Sequence, residues 1–388
     1  MLESQLPLHG VRVVEFCSTA AGPYCAMLLS DLGADVVKIE PPAGDGLRQW
    51  PPLSQGFSEN FASVNRNKRS VVLDLKSPEG LLAARSLVQA ADVLVENNRP
   101  GVMDRLGLGY GEVSREHPAL IYCSISAYGQ SGPRAAEGGF DLTIQAAAGL
   151  MSVTGEEGGA PVKCGVPVSD FASGLYGAFA IAAAQAKVRG GGAGAHIDVP
   201  MLGCTLAISA LQTSELFGSG KNPRRLGSAH PRNSPYQAYR AADGYFAIAA
   251  GTQHLWLKVL AVVGLEALAQ DPRFHTTMDR AANQAELTQL LQPRFEQRNV
   301  QSWLAVFREA GVPHAPINDY ASALDDPQVE HMGWVSELTL PNGVRTRTFG
   351  SPLRFNGQQP PIRRGAPGLG EHTEEVLADC PPPGTSDD

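Results

Sequence analysis

Residues 11–40, VRVVEFCSTAAGPYCAMLLSDLGADVVKIE, pass from a β-branched apolar run through small residues around Gly22-Pro23 into an apolar segment ending at Gly33, then into VVKIE. That pattern predicts strand, tight turn, helix and strand. The rhythm recurs in SVVLDL (70–75), a helix from Pro78 to Ala90, ADVLVEN (91–97) and IYCSISAYG (121–129). Strands alternating with helices predict a parallel sheet with right-handed crossovers, so the first half reads as an α/β layer domain. The texture changes at GSGKNPRRLGSAHPRNSPY (218–236), whose Gly, Pro, Ser and Arg content suits a connection between domains. Beyond it, YQAYRAADGYFAIAAG predicts a hairpin turning at Asp243-Gly244, followed by helical segments over 254–310. VSELTLPNGVRTRTF predicts a second hairpin with a two-residue Asn342-Gly343 turn.

A chain of 388 residues exceeds one typical core, so two domains are expected. The apolar run Phe171–Ala186 is too short to span a bilayer and suits a tightly packed core helix. The opening MLESQLPLHG lacks a secretory signal pattern, which points to a cytoplasmic protein. The six cysteines at 17, 25, 123, 164, 204 and 380 form neither a C-x-x-C nor a Cys/His cluster, so neither a disulfide framework nor a metal site is expected. A net charge of −8 argues against nucleic acid or an acidic membrane as partner.

Glu40 ends the second strand where a dinucleotide's ribose would be held, but STAAGP lacks the glycines of a G-x-G-x-x-G turn, so NAD binding is disfavoured. Arg66, Lys68 and Arg69 in NRNKRS, with Arg99 and Arg105 in ENNRPGVMDRLG, read either as phosphate ligands at strand ends or as a solvated charged edge. Asp170 in GVPVSDFASG is followed by no charged side chain until Lys187. It reads as the N-cap of the next helix or as a catalytic carboxylate, held ionised by the helix dipole among small neighbours that leave room for a ligand. His230, in the polar connection, reads as a substrate contact or a surface histidine.

Taken in order, GVRVVEF, AGPYCAMLLSDLGADVVKIEPP, VNRNKRSVVLDLKSPEG, DVLVENNRPGVMDRLGLGY, IYCSISAYGQSGP, GFDLTIQAAAGLMSVTG, GVPVSDFASGLYG, RLGSAHPRNSPYQAY, GVPHAPI and LGEHTEEVL run from Leu8 to Leu377. This series resembles the class III CoA-transferases, the family of formyl-CoA transferase, L-carnitine CoA-transferase and α-methylacyl-CoA racemase. The resemblance implies an α/β fold with a large Rossmann-like domain built from both chain ends (1–217 and 326–388). It also implies a linker at 218–236, a small α+β domain at 237–325 and an interlocked homodimer. It assigns Asp170 as the nucleophile, which would pass through a mixed anhydride and an aspartyl-CoA thioester. The CoA thioester would be a co-substrate, with no permanently bound cofactor. Its contacts would be Thr19 and Ala20 at the first turn, Leu73, Asp74, Leu75 and Lys76 beside the adenine, Asn97, Asn98 and Arg99 along the pantetheine, and Arg105 toward phosphate.

Racemases of the family carry GHD where this chain reads GFD, and Phe140 cannot accept a proton, so the resemblance favours transfer. The GGGGQ lid of formyl-CoA transferase has no match here. The segments around Asp170 and His230 look more like the branch that uses succinyl-CoA and C4–C6 dicarboxylates, and Phe140, His230 and Arg232 would meet the acid. A formyl/oxalate or carnitine-type transferase is the alternative within the family, and a non-catalytic CoA-binding protein the alternative outside it.

Overall fold

In a computed structural model describing residues 2–380, six strands form one parallel sheet. They are β1 (Arg12–Phe16), β2 (Asp35–Glu40), β3 (Lys68–Val72), β4 (Val93–Glu96), β5 (Ile121–Ser126) and β6 (Ala195–Pro200). Their order is β3-β2-β1-β4-β5-β6, the doubly wound arrangement in which the direction of winding reverses between β1 and β4. The central strands β1, β2, β4 and β5 are buried along nearly their whole length because both faces are covered, whereas the edge strand β6 is mostly half-buried or exposed. Val13, Val93, Val95, Ile121 and Ile125 pack in the core that includes α1 (Ala21–Asp31), whereas Val14, Val71, Leu94 and Tyr122 pack in the one that includes α2 (Pro78–Gln89). Ser77 caps α2 by accepting from the Gly80 N–H at 3.0 Å.

Two further helices matter for the site, α3 (Asp141–Ala147) and α4 (Val168–Arg189). Along α4 the usual distribution is inverted: Ala172, Ser173, Gly174 and Gly177 are buried while Leu175, Tyr176 and Phe179 are exposed. A Cβ on Gly174 would lie 2.9 Å from the Ala21 carbonyl oxygen and 2.9 Å from the Tyr24 ring, so glycine is what lets α4 approach α1. Tyr24 and Phe171 close the same seam at 4.6 Å between ring centroids. The small residues beyond Asp170 therefore serve helix packing rather than leaving room for a ligand.

The chain divides into two compact units. One comprises the described chain up to Leu150, Lys163–Lys221 and the chain from Gln328 onward; the other comprises Met151–Val162 and Asn222–Pro327. In the first, a hairpin of Val335–Thr339 and Arg345–Phe349 turns through three residues rather than two, since the Leu340 N–H still bonds the Val344 carbonyl at 2.8 Å. Gly343 takes φ +83 there, the left-handed conformation for which glycine is suited. The C-terminal helix Thr373–Asp379 follows a hydrogen bond from the His372 N–H to the Ser70 carbonyl of β3. The second unit holds the hairpin Tyr236–Arg240/Tyr245–Ala249, a third strand His314–Pro316, and helices packed around Phe246, Phe295, Trp303 and Phe307.

The NRNKRS basic residues are structural, not phosphate ligands. Arg66 is buried and paired with Asp31, its guanidinium also reaching the Phe349 carbonyl at 3.1 Å. Lys68 is buried against Glu15 at 3.0 Å, the Pro23 carbonyl at 2.8 Å and Asn65 at 2.9 Å. Arg69 bonds Asp35 and Glu375. All three lie before or within β3, away from the carboxyl ends at which doubly wound sheets bind ligands. Arg66→Ala is expected to lower stability by about 3–5 kcal/mol by stranding buried Asp31. The midpoint of denaturant unfolding checks this, with CoA affinity expected to be unchanged.

Candidate active site

The chain leaves β1 at Phe16, turns through 17–20 and enters α1 at Ala21; it leaves β4 at Glu96 and continues through Asn97–Pro100. Adjacent strands diverging in this way open a crevice at the sheet's carboxyl edge. A cleft of about 390 Å³ lies there. Its walls include Thr19, Ala20, Asn97, Asn98 and Arg99 from the two turns, Ser126 and Ala127 after β5, the segment 137–140, and Asp170 from α4.

Asp170 is the third residue of α4, not its cap; Pro167 occupies the capping position and offers no side-chain hydrogen bond. Burial, reinforced by the nearby charge of Asp141, pushes the Asp170 carboxyl up to about 7. Low dielectric and a like charge thus prevail over the favourable helix dipole expected from the sequence. Asp141 is itself fixed: it accepts from the Ser169 N–H at 3.0 Å and from Gln145 Nε2 at 2.7 Å, and the side-chain Oε1 of Gln145 accepts from the Cys164 N–H at 2.9 Å. This second carboxylate had its signal in GFD, one position beyond Phe140, but its partners become neighbours only in the fold. Phe140 is exposed along the cleft wall, its N–H bonded to the Thr143 hydroxyl at 3.0 Å.

The other predicted contacts separate into three groups. Asn97 lines the cleft, yet its amide is committed to Ser18, accepting from the Ser18 N–H at 3.0 Å and donating to the Ser18 carbonyl at 2.8 Å. Asn98 similarly donates to the Phe16 carbonyl at 3.2 Å. Arg99 is exposed, its guanidinium against Gly138, where a Cβ would fall 2.9 Å from Nη2.

Leu73, Asp74, Leu75 and Lys76 follow β3 at the sheet edge, about 14 Å from β4 at three strand spacings. Leu73 is buried in the core, the Asp74 carboxylate accepts from the Lys76 N–H at 3.0 Å, and Lys76 is exposed. Arg105 is exposed at the end of the short helix Val102–Arg105. Glu40, where a ribose would sit, is buried and bidentate with Arg48, which excludes that role. His230 and Arg232 belong to the second unit. There His230 stacks on Tyr236 at 4.9 Å and its Nδ1 accepts from the Arg232 N–H at 3.1 Å.

The profile described as CoA-transferase family III matches residues 8–373. The chain belongs to this family. It is 38% identical over 374 residues to the succinyl-CoA:glutarate CoA-transferase of Homo sapiens, covering 96% of this chain and 85% of that one. It is 38% identical over 368 residues to the acetyl-CoA:oxalate CoA-transferase of Acetobacter aceti, covering 94% and 93%. The crystal structure of a CAIB/BAIF family protein from Brucella suis superposes with a TM-score of 0.85 at 39% identity, covering 96% of this chain and 99% of that one. The protein is thus a CoA-transferase with the fold of its family.

A carboxyl whose folded pKa lies above its unfolded value binds its proton more tightly when folded, so its contribution to stability falls as pH rises from about 4 through about 7. Asp170→Asn removes that liability. Its melting temperature should match the unaltered protein below about pH 4, exceed it increasingly between about pH 4 and about 7, and keep that lead at higher pH, as followed by thermal unfolding.

Proposed function

We propose that the enzyme moves CoA from succinyl-CoA to a C4–C6 dicarboxylate, with Asp170 as the covalent carrier. The carrying observation is a half-buried carboxyl at the switch-point cleft, tuned to about 7 beside a fixed second carboxylate. A carboxylate with that pKa is substantially ionised near neutrality and more basic than an ordinary aspartate, which suits a nucleophile.

In the first step an Asp170 oxygen attacks the thioester carbonyl, the C–S bond breaks, and CoA thiolate leaves a mixed anhydride. The thiolate then attacks the aspartyl carbonyl, breaking its bond to the bridging oxygen and releasing the donor acid. The acceptor carboxylate attacks the resulting aspartyl-CoA thioester, breaking its C–S bond and expelling CoA thiolate to leave a second mixed anhydride; the thiolate then attacks the acceptor carbonyl, breaking its bond to the bridging oxygen, which gives the new acyl-CoA and frees the Asp170 carboxylate. Each step exchanges one acyl bond for another, so no net proton or electron is consumed.

CoA would lie across the carboxyl edge of the sheet, from Arg99 and the 17–20 turn toward Leu73–Lys76 and Arg105. The human relative's name supports glutarate-like acceptors; the Acetobacter relative, equally similar, makes oxalate the second acceptor to test. Exposed Phe140 offers no proton acceptor, which supports transfer over racemisation.

Incubation with succinyl-CoA followed by hydroxylamine should place a hydroxamate on Asp170, read by peptide mass spectrometry. One dicarboxylate of a panel, glutarate and oxalate included, should then yield a new acyl-CoA. Loss of turnover in Asp170→Ala with CoA binding retained is the accompanying result; an unlabelled Asp170 with active protein would exclude the mechanism.

The homodimer belongs to the same proposal. Large apolar side chains on α4 (Leu175, Tyr176, Phe179) and on Met201–Ile208 and Ala210–Ser219 (Leu206, Ile208, Leu211, Phe217) are exposed, as expected of surfaces covered by a second copy. Phe179→Glu should shift sedimentation from dimer toward monomer, and a monomeric unaltered protein would remove this part of the reading.

A further inference from the structure

The turn between β1 and α1 lacks glycine, yet Thr19 adopts φ +66, a left-handed conformation that costs energy for a β-branched residue. Side chains from three other segments hold it. Asn97 clasps both backbone groups of Ser18. Lys38 Nζ donates to the Cys17 carbonyl at 2.8 Å, and Asp45 Oδ1 accepts from the Thr19 N–H at 3.2 Å. Lys38 and Asp45 are both buried and form an ion pair at 2.9 Å. One charge pair therefore grips the turn on either side of Ser18.

The pair is anchored from behind. Lys38 also meets Glu15 at 3.3 Å. Burial opposes its charge, but Glu15 and Asp45 outweigh that and hold the ammonium above its usual range. Asp45 donates its N–H to Glu40 at 2.9 Å and accepts from the Leu47 N–H at 2.9 Å, while Glu40 is fixed by Arg48. A buried ion pair is weak support for stability, because apolar residues of similar volume often serve as well. What it does here is geometric: it defines the cleft wall carrying Thr19 and Ala20, in the same cleft as Asp170.

We propose that Asp45, through Lys38, is a positioning residue that holds the 17–20 turn in the shape needed for acyl transfer at Asp170. The inference rests on the proposed covalent mechanism. Misplacing a wall of a reacting site by about 1 Å can cost about a hundredfold in rate without loss of the fold.

The test uses full-length Asp45→Asn, which keeps an acceptor for Thr19 but removes the charge opposite Lys38. Thr19→Gly is a second variant that loosens the turn without touching the buried charges, should the first fail to fold. Amide hydrogen exchange of peptides spanning 16–21, kcat, and KM for succinyl-CoA are measured for each, with thermal unfolding as the control for folding. The expected result is faster exchange confined to that turn, with kcat reduced about tenfold to a hundredfold and KM changed far less. Unchanged exchange in Asp45→Asn, or faster exchange with unchanged kcat, would overturn the proposal. Failure of the unaltered protein to acylate Asp170 would overturn the reaction on which the inference depends; the exchange measurement separates that failure from failure of the clasp.

Discussion

Glu15 is a carboxylate within the buried part of β1, among Val13, Val14 and Phe16, and two buried ammonium groups make it tolerable there. Lys38, directly opposite it on β2, and Lys68 on β3 approach within 3.3 and 3.0 Å. A one-residue slip of β1 against β2 would turn Glu15 toward the other face and leave the ammoniums without their shared counter-charge, so the pairing constrains register as well as charge. The same ammoniums also bind backbone: Lys68 holds the Pro23 carbonyl at the start of α1, and Lys38 holds the Cys17 carbonyl at the end of β1. Three strands, a helix start and a turn thus share one electrostatic centre. Breaking it would leave uncompensated charge inside the sheet.

The candidate active site inherits its shape from that centre. A parallel sheet whose winding reverses between β1 and β4 leaves their following turns unfilled at the carboxyl edge. Here, polar side chains satisfy the turns' backbone groups instead of glycines allowing the approach of a phosphate. Asn97 and Asn98 are consequently scaffold as much as surface, and Arg99 is the exposed cation at the cleft. Facing them, Asp170 is raised by burial and by Asp141, whose own hydrogen bonds tie α3 to the start of α4. The protein keeps a carboxyl in a state that is costly when ionised, as a group in the proposed nucleophilic role would need.

Helix α4 joins the candidate site to an exposed apolar surface. Glycine and alanine on its inner side let it lie against α1, which brings Asp170 to the cleft, while the larger apolar residues face outward. The packing that positions the carboxyl therefore also creates the apolar surface attributed to the dimer.

Much of the parallel sheet was legible in the chain because strand and helix periodicity is local: VVKIE, ADVLVEN and IYCSIS carry their patterns within a few residues. Family resemblance identified the CoA-transferase and singled out Asp170 as the residue to examine. What local pattern could not decide was the partner of each charge. NRNKRS looks like an exposed basic run, but Arg66 finds Asp31 and Lys68 finds Glu15, 53 positions earlier. Asp170 looks like a helix cap, but it sits three residues past the cap position, beside an Asp141 that reaches Ser169 across 28 residues. Backbone preference is set by neighbours in sequence; burial, charge pairing and a carboxyl's pKa are set by neighbours in space, so only the tertiary structure could decide them.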